Sequence, residues 1–107
     1  MANTFKNAGV AVGSSETVIY TTPGSTTAVI HAIYLSNVHG TNDGTADIYV
    51  TDDSAGSDFY IAKNLTVPKG ATVVLDKPVN LETADVLKSV ADASSTIQIF
   101  CSVLEIT

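Results

Sequence analysis

Thr45-Ala46-Asp47-Ile48-Tyr49-Val50-Thr51 alternates apolar and polar residues without a break. Ala46, Ile48 and Val50 fall on one side of an extended chain; Asp47, Tyr49 and Thr51 fall on the other. A period of two is the mark of a strand with one face in a core and one in water. Just upstream, His39-Gly40-Thr41-Asn42-Asp43-Gly44 is a polar loop whose Asp-Gly pair signals a hairpin. Before that lies the longest apolar run, residues 27–38. Strict alternation puts Val29, His31, Ile33 and Leu35 on one of its faces and Ala28, Ile30, Ala32 and Tyr34 on the other. Both faces are largely apolar, which predicts a central strand covered on both sides, or on one side by a partner chain.

Working outward, the chain continues as short apolar runs punctuated by Gly, Pro, Asn, Asp and Ser. Residues 4–12 and 16–22 precede a Pro23-Gly24 turn. Residues 58–63 and 71–75 flank a tight turn at Pro68-Lys69-Gly70, and Pro78 opens a short piece at 79–81. Residues 81–90 fit a helical face only loosely and are read as a turn followed by a strand at 86–90. The last run, 96–106, is again apolar on both faces.

Composition agrees. The 14 Thr, 13 Val and 8 Ile make 35 of 107 residues β-branched. Such side chains suit a pleated surface. We expect one all-β domain over residues 1–107, an antiparallel two-layer β-sandwich of about eight strands, jelly-roll-like or Ig-like.

Five Lys, no Arg and eleven Asp plus Glu give a net charge of −6. Nucleic acid is therefore an unsuitable partner, because phosphate binding needs clustered Lys and Arg. An anionic membrane surface is disfavoured likewise. The opening residues lack a basic and then apolar leader, and no run approaches the roughly 20 residues of a membrane span. A cytoplasmic folding site is expected.

The single cysteine, Cys101, sits in an apolar alternating run and reads as a small buried hydrophobe. His31 and His39 have no Cys or carboxylate at ligand spacing. Asp52-Asp53-Ser54-Ala55-Gly56-Ser57-Asp58 offers oxygens but not the ladder of a calcium loop, and reads as a solvated turn, as does Asn42-Asp43-Gly44. Glu82 and Asp85 are a carboxylate pair with no evident cleft. The sequence offers no phosphate loop, nucleophile elbow or triad, so we expect no enzyme activity and no cofactor.

Several stretches together carry a resemblance: the opening Met1-Ala2-Asn3-Thr4-Phe5-Lys6-Asn7-Ala8, Thr17-Val18-Ile19-Tyr20-Thr21-Thr22-Pro23, Ile33-Tyr34-Leu35-Ser36-Asn37, Leu65-Thr66-Val67-Pro68, Val74-Leu75-Asp76-Lys77-Pro78, Leu81-Glu82, Asp85-Val86-Leu87 and Ser102-Val103-Leu104-Glu105-Ile106-Thr107. Over nearly its full length the chain resembles small virion structural proteins of tailed bacteriophages, notably of marine and cyanobacterial phages. The resemblance implies a β-sandwich subunit assembled in many copies, located in the virion and built in the host bacterial cytoplasm. It brings no catalytic residues.

The expected role is a capsid decoration, or cement, subunit. The alternatives are a tail, neck or baseplate component and, last, a carbohydrate-binding module on a fibre. Expected partners are copies of the chain itself, a trimer by the resemblance, and the phage major capsid protein or tail proteins. The candidate contact residues are Ile30 and Tyr34 from one face of 27–38, Phe100 and Leu104 from 96–106, and Phe5 and Lys6. The last two lie in residues 1–7, read as an N-terminal docking arm.

Overall fold

The computed structural model describes residues 2–94 and 96–107. Among them are nine strands and no helix: β1 (Asn3–Ala11), β2 (Thr17–Thr21), β3 (Thr27–Asn37), β4 (Gly44–Asp52), β5 (Ser57–Val67), β6 (Thr72–Leu75), β7 (Val79–Leu81), β8 (Val86–Ala91) and β9 (Ile97–Ile106). The strands expected from turn spacing all form, and the short piece at 79–81 supplies the ninth. Residues 82–85 form a turn and β8 follows, as the loose periodicity indicated.

Two antiparallel sheets face each other. One runs β1-β9-β3-β6, with β7 also paired to β3; the other runs β2-β8-β4-β5. Of the strands adjacent in sequence, only β4 and β5 pair as a local hairpin; β6 and β7 pair separate stretches of β3. The remaining connections cross between the sheets. That order is a jelly roll and not an Ig-like sandwich, whose first two strands would be sheet neighbours. The Asp43-Gly44 pair accordingly does not close a hairpin. It ends a crossing from β3 in one sheet to β4 in the other. Gly44 is buried there, where a Cβ would come within 3.1 Å of the Thr96 side chain.

The core lies between the sheets. Ile30, Ile33 and Leu35 of β3 and Ile97, Ile99, Cys101 and Val103 of β9 meet Ile48, Ala46, Leu87 and Ala91 from the opposite layer. β9 is central, flanked by β1 and β3, yet only one of its two apolar faces is in the core: Ile97, Ile99, Cys101 and Val103 are buried and Phe100 is exposed.

β3 departs from strict alternation. Ile30 pairs with Val103 and Ala32 with Ser102, so His31 is an extra residue, a β-bulge. The bulge reverses the phase of the strand. Ala28 and Ile30 face inward before it, and Ile33, Leu35 and Asn37 face inward after it. The bulge changes which residues form each apolar face: Ala28, Ile30, Ile33 and Leu35 line the core, and Val29, Ala32 and Tyr34 lie on the outer side. Ile30 is therefore a core residue with no exposed surface, not a contact residue.

The N-terminal segment is also corrected. Residues 3–7 are not an arm reaching away from the sandwich. They form the first half of β1, in continuous register with β9 from Asn3 opposite Ile106 to Ala11 opposite Gln98.

Candidate interaction surface

The pairing of β1, β9, β3 and β6 sets the outer face of the five-stranded sheet. One cross-strand row is Phe5, Leu104 and Val29; another is Gly9, Phe100, Tyr34 and Val74. Between them runs Asn7, Ser102 and Ala32, and beyond the first row lies a further one, Asn3, Ile106 and Thr27. On β3 and β9 these residues alternate with buried ones, and the register with β9 places the β1 residues on the same side, turned away from the other sheet. Phe5 is 78% exposed, Phe100 46%, Val74 45% and Tyr34 40%. No residue paired along this face is charged, although the chain carries −6 overall. Gly9 leaves space that the Phe100 ring uses: a Cβ there would lie 3.3 Å from Phe100 Cδ1. A shallow groove of about 380 Å³ follows Gly9, Tyr34, Phe100 and Gln98.

The outer face of the other sheet is mixed: exposed Val18 and Tyr60 stand in one row with Lys88 and Tyr49, among paired charged groups. The Tyr49 hydroxyl donates to Glu16 at 2.9 Å, and Lys88 pairs with the same carboxylate at 3.3 Å. Lys63 pairs with Asp47 at 3.1 Å and sits 4.8 Å from the centre of the Tyr60 ring. Burial, then the Glu16 carboxylate, push the Tyr49 hydroxyl well above the ordinary tyrosine range. Both faces expose apolar side chains, and they differ in charge: the second carries the Lys63–Asp47 and Lys88–Glu16 pairs, while the first has no charged residue among the described pairs.

Of the six contact residues expected from sequence, Phe5, Tyr34, Phe100 and Leu104 share this apolar face. Lys6 does not; it lies opposite Val103, on the side of β1 turned toward the second sheet. Val29 and Val74 belong to the face and were not anticipated. Val29 was hidden by the bulge phase, and Val73-Val74 leaves either assignment open on hydrophobicity alone.

A second cluster forms where sequence reasoning saw two unrelated features. Ligand oxygens of Asp52, Glu82 and Asp85 lie within 4.8 Å of one another. Asp85 is buried, and its oxygens accept the backbone N–H of Asp53 at 3.0 Å and of Glu82 at 2.9 Å. Asp52 accepts from Ser54 N and Oγ at 3.1 and 2.8 Å. The Asp52 and Asp85 carboxylates hold their turns in place, the ordinary work of Asp beside turns. His39 works similarly: its Nδ1 accepts from Thr41 N at 3.1 Å and Asn42 N at 3.2 Å. Asp43 accepts from Lys69 N at 3.0 Å. The Cys101 thiol is enclosed in the core, where burial pushes its pKa up to about 11.

No protein-family model matches the chain, and no curated protein does. Several solved structures share its fold. It is similar to a subunit of the Bacillus endospore appendages, described as disulfide-linked pili, with 17% identity, a TM-score of 0.56 and coverage of 99% of this chain and 87% of that one. It is similar to a chain of the acid-stable capsid of Helicobacter pylori bacteriophage KHP30, with 11% identity, a TM-score of 0.55 and coverage of 100% and 89%. It is also similar to a pentameric capsid protein from metagenomic phage sequences, with 20% identity, a TM-score of 0.51 and coverage of 91% and 59%.

Proposed function

We propose that the chain is a non-enzymatic structural subunit of a tailed-phage virion, and within that role a decoration subunit bound to the outside of the assembled shell. The observation that carries this reading is the uncharged apolar outer face of the five-stranded sheet. Such a face gains free energy by being covered, at roughly 25 cal/mol per Å² of apolar area. It offers area for packing and no arrangement for chemistry. Two of the solved structures that share the fold are phage capsid chains, which supports the same reading. The acidic balance without Arg suits a position away from packaged DNA.

The partner is the major capsid protein. Decoration acts by linkage: a subunit that binds the closed shell and not its dissociated parts raises the resistance of the shell to heat. The contact is non-covalent. Cys101 is enclosed in the core and is the only cysteine, so disulfide linkage of the kind described for the pilus neighbour is not open to it.

Antibody labelling of intact virions viewed by electron microscopy tests the assignment. Label spread over the shell is the expected result. Label confined to the tail, neck or baseplate would replace decoration with the tail reading, and no label on either would remove the virion role.

A further inference from the structure

We propose that the free edge of β1 pairs with the same edge of a second copy of this chain, two antiparallel β1 strands meeting on a two-fold axis at Asn7. The inference goes beyond the virion reading and does not depend on it.

The backbone shows which groups are open. Ala2 and Thr107 exchange both hydrogen bonds, at 3.2 and 2.9 Å, and Val12 N donates to Ile97 O at 2.9 Å. Bonded and non-bonded pairs alternate along an antiparallel ladder. Thr4, Lys6, Ala8 and Val10 therefore bond to β9. Asn3, Phe5, Asn7, Gly9 and Ala11 turn their N–H and C=O groups to the free side, and all five are exposed. A row of unpaired backbone groups is a template for another strand.

The other edges are blunted. β5 contains two register shifts, and Asn64 on it has a φ of 53°. β2 is five residues long with a shift between Val18 and Tyr20. β6 and β7 are four and three residues. β1 alone among the edges runs nine residues with no shift. Bulges and short strands protect an edge from pairing, and β1 has neither.

The sequence of β1 suits a copy of itself. With Asn7 on the axis, Phe5 lies opposite Gly9 of the second copy, where there is no side chain to meet it. The incoming ring settles beside Phe100, which already leans on Gly9. Aromatic cover of an edge glycine is a recognised way to stabilise a strand pair. The apolar outer face then continues across the axis. Lys6 is the only charge on β1 and lies opposite Ala8 of the second copy, so the two Lys6 are diagonal and not face to face. No carboxylate on β1 adds to the repulsion between two acidic chains. Five bonded pairs supply on the order of ten hydrogen bonds. A two-fold isologous contact closes on itself as a dimer, not the trimer suggested by the family resemblance.

The test is sedimentation of the full chain and of Asn7→Pro at micromolar concentration. Proline removes the N–H of residue 7, which faces the free edge, and leaves the bonds to β9 in place. We expect the native chain to sediment as two copies and Asn7→Pro to halve that mass with an unchanged far-ultraviolet spectrum. A native chain that is monomeric or trimeric overturns the proposal, as does a dimer that Asn7→Pro leaves intact. Should Asn7→Pro fail to fold, oxidative crosslinking decides. Bonded Cα atoms across an antiparallel pair lie about 5.5 Å apart, within disulfide reach. Asn7→Cys should crosslink and Ala11→Cys, placed opposite Asn3, should not; equal yields, or none from Asn7→Cys, overturn it. Copy number in virions is a separate measurement, so failure here leaves the virion reading standing.

Discussion

The Tyr20 hydroxyl donates to a Glu105 carboxylate oxygen at 2.5 Å, tying β2 of one sheet to β9 of the other. It is a polar link across the layers, as is the Asn37 amide of β3, which donates to Val67 O of β5 at 2.9 Å. Burial first, then the Glu105 hydrogen bond and charge, raise the Tyr20 hydroxyl far above its ordinary value of 10.0. Tyr49 is raised in the same direction by burial and Glu16.

The sign of the resulting pH dependence follows directly. Folding favours the protonated phenol at both sites, so this stability is complete below pH ~10 and is lost as pH rises above it. Thermal melts should give a midpoint that is flat between pH 7 and 9 and falls beyond pH ~10. Tyr20→Phe and Tyr49→Phe should each lessen the alkaline fall. At neutral pH Tyr20→Phe should cost about 1 kcal/mol in denaturant unfolding.

Asp85 predicts a contrast between two substitutions. Asp85→Ala leaves the Asp53 and Glu82 amides without an acceptor and should destabilise by roughly 3 kcal/mol. Asp85→Asn keeps one acceptor and should cost less than half of that. If the carboxylates serve the turns, added calcium leaves the melting midpoint of the native chain unchanged. A calcium-dependent rise that Asp85→Asn abolishes would show a cation site instead.

Ile30 and Phe100 separate core from surface. Ile30→Ala opens a cavity in a filled core and should cost about 2–5 kcal/mol. Phe100→Ala, on the outer face, should leave the melting of the isolated chain within about 1 kcal/mol of native while weakening contact with whatever covers that face. Deleting His31 is a sharper test of the bulge. Without the extra residue, Ala28 and Ile30 are thrown to the outer face, and the chain should lose its cooperative transition.

Cys101 should resist a water-soluble thiol reagent in the native chain and react fully in guanidinium. Fast native labelling would contradict its place in the core.

Much of this fold is readable because its signals are local. The alternation of residues 45–51 sets which side of β4 is core, and the turn at 82–85 followed by β8 shows in residues 81–90. What escaped depends on partners distant in sequence. The bulge at His31 exists only against Val103 and Ser102, so no period along β3 reveals it, and Ile30 was placed on the wrong face. The arm expected at residues 1–7 is a strand because β9, nearly a whole chain away, lies beside it. The Asp52, Glu82 and Asp85 cluster joins two loops that nothing in the linear order connects. The aromatic pair Tyr34 and Phe100 was legible because each alternates with Ile, Leu or Cys on its own strand.

The central claim, a virion subunit present across the shell, is tested most directly by counting copies of the chain per particle in purified virions, by quantitative mass spectrometry against the major capsid protein. The account predicts hundreds of copies. A dozen or fewer would contradict decoration and place the chain in the tail, and absence from the particle would contradict the virion role itself.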